Sequence, residues 1–107
     1  MPSKRQQIKN IIEQYKGVLE GLGIQVKRVV LYGSFAKGTA RKDSDIDLVV
    51  VSDDFQALNL RERLEVLGVA SARIKEPIEA RGYTSKEIKH VSPMNFLSQA
   101  LKMGINF

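Results

Sequence analysis

One run of residues constrains this chain more than any other. Ile46, Leu48, Val49, Val50 and Val51 are apolar and largely β-branched, interrupted only by Asp47. Such a run suits a strand buried on both faces, central in a sheet and covered by other elements, with Asp45–Ser52 as its expected span. A second β-branched run, Val26–Tyr32, ends at Gly33 and reads as another strand, and Ile78–Tyr83 reads as a third. Pro77 separates that third strand from what precedes it, since proline bars helix continuation. The intervening segments have helical spacing. Ile8, Ile11, Ile12, Tyr15, Val18, Leu19 and Leu22 share one face of a helix over Ser3–Leu22, with a Ser3/Gln6 capping box at its start and Gly21 and Gly23 as its stop. Leu60, Leu64, Leu67 and Ile74 predict a second helix over Leu58–Ile74, with Gly68 its weak point. Thr84-Ser85-Lys86-Glu87 matches a capping box opening a short helical turn. Ser92 as N-cap and Pro93 at the first helical position predict a last helix through Met94, Leu97 and Leu101 toward Gly104. Helices and strands alternate, which favours a two-layer α/β sheet protein over a bundle or a sandwich.

The 107 residues, 43% apolar and 27% charged, suffice for one core and not for two, so a single domain over 1–107 is expected. With no cysteine, disulfides and thiolate metal sites are excluded. The longest apolar runs, Val29–Tyr32 and Leu48–Val51, fall far short of the roughly 18 residues that a membrane span requires. No signal-like segment appears at Met1–Lys9, so the expected compartment is the cytoplasm. The net charge of +5 is lopsided. Residues 1–42 hold nine Lys/Arg against two Glu, and residues 43–107 hold eight against ten Asp/Glu. A basic half suits a polyphosphate or a nucleic acid, but Lys4, Arg5, Lys9 and Lys16 are equally well read as a solvated helix face.

The chemistry concentrates between the first two strands, from Gly33-Ser34 to Asp45-Ile46-Asp47. Gly33 permits a sharp turn and a close backbone approach to a ligand. Ser34 can open a short helix whose N–H groups and hydroxyl point at an anion. Taken alone, the pair is also an ordinary strand-to-helix turn. Asp45 and Asp47 stand two apart, so on a strand their side chains share a face, with Cα atoms roughly 6.5–7 Å apart. Two carboxylates beside Ile, Leu and Val repel unless a cation lies between them. Mg²⁺ is the apt ion, and two such ions roughly 3.5–4 Å apart could clamp the attacking and leaving oxygens of a phosphoryl displacement. The bland alternative is a solvent-facing strand end.

Gly-Ser, ten intervening residues and Asp-Ile-Asp together resemble the signature of the DNA polymerase β-like nucleotidyltransferase superfamily. The wording Gly-Ser-x-Ala-Lys-Gly-x-Ala followed by Ser-Asp-Ile-Asp-Leu is similar to the minimal nucleotidyltransferases of prokaryotes, often the smaller partner of a helical HEPN protein. The resemblance covers Val29–Ser52 and again Ile78–Thr84. It implies a two-layer, mixed α+β nucleotidyltransferase fold, a small mixed sheet covered by helices. It also implies Gly33 and Ser34 at a triphosphate and Asp45 and Asp47 as metal ligands. Lys37 and Arg41, in the same segment, could neutralise phosphate charge or be plain solvated cations. The family's third carboxylate, usually Asp on a later strand, corresponds to Glu79, one methylene longer. Its alternative is an exposed strand Glu paired with Arg81 or Lys75.

The resemblance points to a metal-dependent enzyme that transfers AMP from ATP, or another NMP, to a hydroxyl of a HEPN partner, making the chain the antitoxin of a two-component module. With about 60 residues beyond the motif, the acceptor is expected to come on that partner. The alternative is a nucleotide-binding module that neutralises the HEPN partner without catalysis, for which the departure at Glu79 is the main argument. Small-molecule transferases of the aminoglycoside type carry an additional helical domain not seen here. A nucleic acid as direct ligand rests only on net charge and is not expected. His90, the only histidine, is given no role.

Overall fold

The computed structural model describes residues 3–41, 44–92 and 94–107. Three strands form where the apolar runs stand: β1 (Arg28–Tyr32), β2 (Ile46–Val51) and β3 (Ile78–Tyr83). β2 is flanked on both sides, antiparallel to β1 and parallel to β3, as its unbroken burial requires. A short β4 (Ile105–Asn106) pairs antiparallel with β1, giving the order β3-β2-β1-β4. This fourth strand was not foreseen. Two residues of which one is Asn carry no strand signal of their own, and their pairing is set by the segment before them.

Strand alternation sorts the residues onto two faces. Val29, Leu31, Ile46, Leu48, Val50 and Ala80 pack under α1 (Lys4–Gly21) and α3 (Leu60–Ile74). The sheet and this helix pair are the two expected layers. On the opposite face Val30, Val49 and Val51 pack against Leu97 and Ala100 of α5 (Phe96–Met103), which covers only part of the sheet. The rest of that face is where the polar strand residues emerge.

Helix ends follow local chemistry. Ser3 caps α1, its Oγ accepting from the Gln6 N–H at 3.1 Å, but the Gln6 side chain donates to Asn10 Oδ1 instead, so only half of the expected capping box forms. At the other end Ile24 N–H donates to Leu19 O and Gly23 N–H to Glu20 O, with Gly23 at φ 92°, a Schellman stop. α3 begins two residues later than expected because Asn59 and Glu62 form a complete capping box. Tyr15 ties α1 to α3: fully buried, its hydroxyl donates to Leu67 O at 2.9 Å. Arg63 and Ser71 of α3 reach the outer edge of β3 and donate to Gly82 O and Ile78 O, covering carbonyls that an edge strand would otherwise present.

Three further boundaries differ from the sequence reading. β1 starts at Arg28 rather than Val26, because residues 23–27 serve as the link from α1, with Gln25 N–H donating to Asp54 Oδ2. β2 starts at Ile46, leaving Asp45 just outside the strand and exposed. The last helix is capped by Asn95, whose Oδ1 accepts from Leu97 N–H at 2.8 Å, and not by Ser92, whose Oγ faces Met94 N–H at 3.4 Å. Asn is as good a cap as Ser, and it stands directly before the apolar face of α5. Pro93 lies outside the described residues. Between β3 and α5, α4 (Ser85–Lys89) opens with the Thr84/Glu87 capping box that its sequence predicts.

Candidate functional site

The polar residues gather at one end of the sheet, where β1 leaves and β2 and β3 begin. Cross-strand register sets Tyr32 opposite Asp47 and Asp47 opposite Glu79, so the three stand in one row across β1, β2 and β3. Glu79 and Arg81 alternate onto the same face of β3. Asp47 is half-buried, whereas Asp45 and Glu79 are exposed.

Gly33 turns the chain directly against this row. Its backbone sits at φ 74° and ψ −152°, a region that only glycine occupies without strain. A Cβ there would collide with Asp47 Oδ2 and lie 3.2 Å from Asp47 Cγ. The carboxylate of Asp47 therefore occupies the space that a side chain at position 33 would need. From Gly33 the chain enters α2 (Ser34–Lys37), whose first N–H groups have no acceptor within the helix. Gly33 thus stands beside Asp47, and Ser34 follows it as the first residue of α2. Lys37, at the end of α2, is exposed and lines a recess that begins at Gly33. Arg41 is exposed in the following loop, where its backbone N–H donates to Ser44 Oγ at 2.8 Å.

The electrostatics single out Asp47. Burial and then the charges of Glu79 and Asp45 hold its carboxyl above the usual aspartate range, with Arg81 pulling the other way. Burial, then Asp47, raises the Tyr32 hydroxyl too. Among the described residues, Asp47 thus has more negative charge nearby than positive. Among the described residues, no group of three His, Cys, Asp or Glu side chains is placed to hold a metal ion, so Asp45, Asp47 and Glu79 do not come together as a three-carboxylate site. Glu79 makes no ion pair with Arg81 or Lys75 among the described residues, so the salt-bridge alternative for it is not realised.

Sequence reasoning passed over Tyr32, Phe96 and the position of Arg81. The Arg81 guanidinium lies over the Phe96 ring, 4.8 Å from its centroid, and Phe96 meets Tyr32 edge-on at 5.3 Å and 76°. Two of these had a legible signal: Arg81 is two residues from Glu79 on one strand, and Tyr32 directly precedes Gly33. Phe96 had none, because its approach depends on how α5 crosses the sheet.

The sequence matches the nucleotidyltransferase domain family over residues 6–97. A stretch of 61 residues is 34% identical to "Putative protein adenylyltransferase MJ1379" of Methanocaldococcus jannaschii, covering 57% of this chain and 60% of that protein. The chain therefore matches about 60% of the length of this curated relative. Two solved structures share the fold. One, described as the crystal structure of a toxin-antitoxin with AMP-PNP, superposes with a TM-score of 0.63 at 19% identity, over 88% of this chain and 69% of the other. The second, "a putative nucleotidyltransferase from Sulfolobus solfataricus", superposes with a TM-score of 0.58 at 19% identity, over 100% of this chain and 90% of the other.

Proposed function

The chain belongs to the nucleotidyltransferase domain family, and from that premise we propose that it transfers AMP from ATP to a hydroxyl of a protein partner. The observation that carries this reading is the row Tyr32–Asp47–Glu79 with the Gly33 backbone pressed against its central carboxylate. In this reading Gly33 and Ser34 present N–H groups and a hydroxyl to the triphosphate, and Lys37 and Arg41 offset its charge. Glu79, exposed at the strand end, accepts a hydrogen bond from the acceptor hydroxyl and draws off its proton as that oxygen attacks the α-phosphate and pyrophosphate leaves.

Nucleotidyltransferases use divalent metal ions, and the donor set here fits one. Asp47 is half-buried with Glu79 and Asp45 beside it, a charge excess that a cation relieves. Of the three expected ligands Asp45, Asp47 and Glu79, Asp47 with one of its neighbours would hold it, since no three such side chains come together among the described residues. Mg²⁺ characteristically takes one or two carboxylates together with substrate phosphates and water, which accords with the absence of a complete protein cage among the described residues. When bound, such ions, two during the reaction, neutralise charge building on the phosphates.

The partner is drawn from the relatives. MJ1379 is described as a "putative protein adenylyltransferase" and one fold neighbour as a toxin-antitoxin with AMP-PNP, which supports a protein acceptor within a two-component module; the antitoxin role and the HEPN type of the partner come from the sequence resemblance. A second reading, a nucleotide-binding module that neutralises its partner without transfer, is favoured by the longer Glu79 in place of the family's Asp. Glu79→Gln separates the two. For an enzyme it cuts transfer to a co-purified HEPN partner by about 10²-fold or more while ATP binding persists. An active enzyme indifferent to Glu79→Gln would remove Glu79 from the site. A wild type that binds ATP and partner but transfers nothing, with Glu79→Asp gaining activity, would establish the second reading.

A further inference from the structure

β3 is an edge strand, and its backbone leaves the middle of that edge open. Ile46 N–H donates to Pro77 O and Ser52 N–H donates to Tyr83 O, so the odd-numbered residues of β3 face β2. Ile78, Ala80 and Gly82 therefore turn their N–H and C=O groups outward. Ser71 and Arg63 hold the carbonyls of Ile78 and Gly82, and Ile78 N–H donates to Glu76 O. Ala80 between them has no such partner among the described residues, and it lines a recess of about 660 Å³ bounded by Glu79–Tyr83. The other wall of that recess is α3, where Leu60 is 72% exposed and Leu64 49%. One turn beyond Leu64 on the same stripe stands Gly68, exposed, where an added Cβ would meet nothing. Glycine is unfavourable inside a helix, and no neighbour among the described residues requires it here.

We propose that a second copy of the chain docks on this edge, β3 against β3, about a two-fold axis at Ala80. Antiparallel pairing there needs only the Ala80 N–H and C=O of each copy, which exchange two hydrogen bonds, so the carbonyls held by Ser71 and Arg63 stay as they are. A register shifted along the edge would draw on the already partnered carbonyls of Ile78 or Gly82. The Ala80 register sets Glu79 directly opposite Arg81 of the second copy, and Arg81 opposite its Glu79, with Cα atoms roughly 4.5 Å apart. Symmetry alone thus makes two unlike pairs from one strand. Glu79 is exposed and has no ion pair among the described residues, so the second copy brings it the opposite charge. Arg81 keeps its place over Phe96, since a guanidinium that meets a ring still has N–H donors for a carboxylate. On the helix side the two α3 helices lie side by side, covering Leu60 and Leu64 and approaching closely at Gly68. This self-complementarity of charge and backbone favours a second copy over an extended segment of another protein. The pairing does not depend on nucleotide transfer, but it gives each site a guanidinium from the other copy that orients Glu79.

Sedimentation equilibrium of the full chain, from low to high micromolar concentration, tests the pairing. The wild type passes from monomer to dimer as concentration rises. Arg81→Glu and Glu79→Arg each set like charges opposite each other and weaken the dimer by about tenfold or more. An equimolar mixture of the two variants, in which unlike charges face each other at both positions, dimerises as the wild type does. Both positions are exposed, so each variant folds, as unchanged circular dichroism verifies. The Ala80 amide exchanges its hydrogen more slowly where the wild-type dimer forms, and Arg81→Glu removes that protection. A chain that stays monomeric throughout overturns the proposal. A dimer that neither charge reversal weakens, a mixture that fails to pair, or an Ala80 amide whose exchange ignores concentration does the same. A monomeric chain that binds a co-purified protein and loses it in Leu64→Lys assigns the edge to that protein, and the second copy is equally ruled out.

Discussion

Replacing Gly33 by alanine perturbs two things at once, and the structure gives a size to each. At φ 74° and ψ −152° a Cβ imposes backbone strain, of order 1–3 kcal/mol for a residue in a glycine-only region. The same Cβ overlaps Asp47 Oδ2 and approaches Asp47 Cβ at 3.3 Å, so the carboxylate must swing out of the row. Together they predict a loss of about 2–3 kcal/mol in urea unfolding, and a melting temperature lower by on the order of 10 °C. The two contributions separate in a double-mutant cycle. Asp47→Ala removes the overlap and leaves the backbone strain, so Gly33→Ala combined with Asp47→Ala should be more stable than additivity predicts by about 0.5 kcal/mol or more. The nucleotide site should suffer beyond the stability loss, with ATP binding impaired at temperatures where Gly33→Ala is fully folded. A Gly33→Ala protein of wild-type stability, or strict additivity with Asp47→Ala, would refute this account of the turn.

The remaining predictions concern charge, one buried hydroxyl and one helix end. Because the folded state holds the Asp47 carboxyl above its ordinary value, its ionised form weakens the metal-free fold. Asp47→Asn should therefore stabilise the chain at pH 7 in EDTA by about 0.2–1 kcal/mol, the scale of like charges across strands. The gain should shrink as pH falls through the raised pKa and vanish below the ordinary value of 3.8, as melting curves across pH will tell. Tyr15→Phe leaves Leu67 O without its side-chain donor and should cost about 1 kcal/mol in urea unfolding. Burial raises the Tyr15 pKa, so its neutral form favours the fold and that contribution declines as pH rises above the ordinary 10.0; Tyr15→Phe should lose stability less steeply there. Lys75 ends α3 in the left-handed region at φ 56°, so Lys75→Gly should raise stability by about 0.5–1 kcal/mol, an outcome that thermal unfolding checks.

The parts of this architecture that were legible share one property: their signal lies within a few residues. The Schellman stop at Gly23, the Thr84/Glu87 box and the buried run of β2 are each set by local spacing, and each forms where the sequence puts it. The fold class and the nucleotidyltransferase family were likewise readable, because the Gly-Ser to Asp-Ile-Asp spacing joins two strands through a single short helix. Features that depend on distant partners were not. Asp45 reads as a strand residue by periodicity but falls outside β2, and β4 exists only because α5 delivers Ile105 beside Leu31. Ser92 competes with Asn95 for the same role, and the cap nearest the buried face of α5 prevails. The contact of Gly33 with Asp47 lay hidden for the same reason: glycine signals a turn, not what the turn touches.

Intact-mass spectrometry of a HEPN-type partner, co-purified with the chain and then incubated with ATP and Mg²⁺, tests the central claim most directly. The account predicts one or more AMP adducts on a hydroxyl side chain of the partner. These should be lost in EDTA and in Asp45→Asn and Asp47→Asn chains that remain folded. Adducts formed equally well by folded Asp47→Asn protein would place the chemistry elsewhere. A partner left unmodified by a wild-type chain shown to bind both it and ATP would contradict the claim that this site transfers nucleotides.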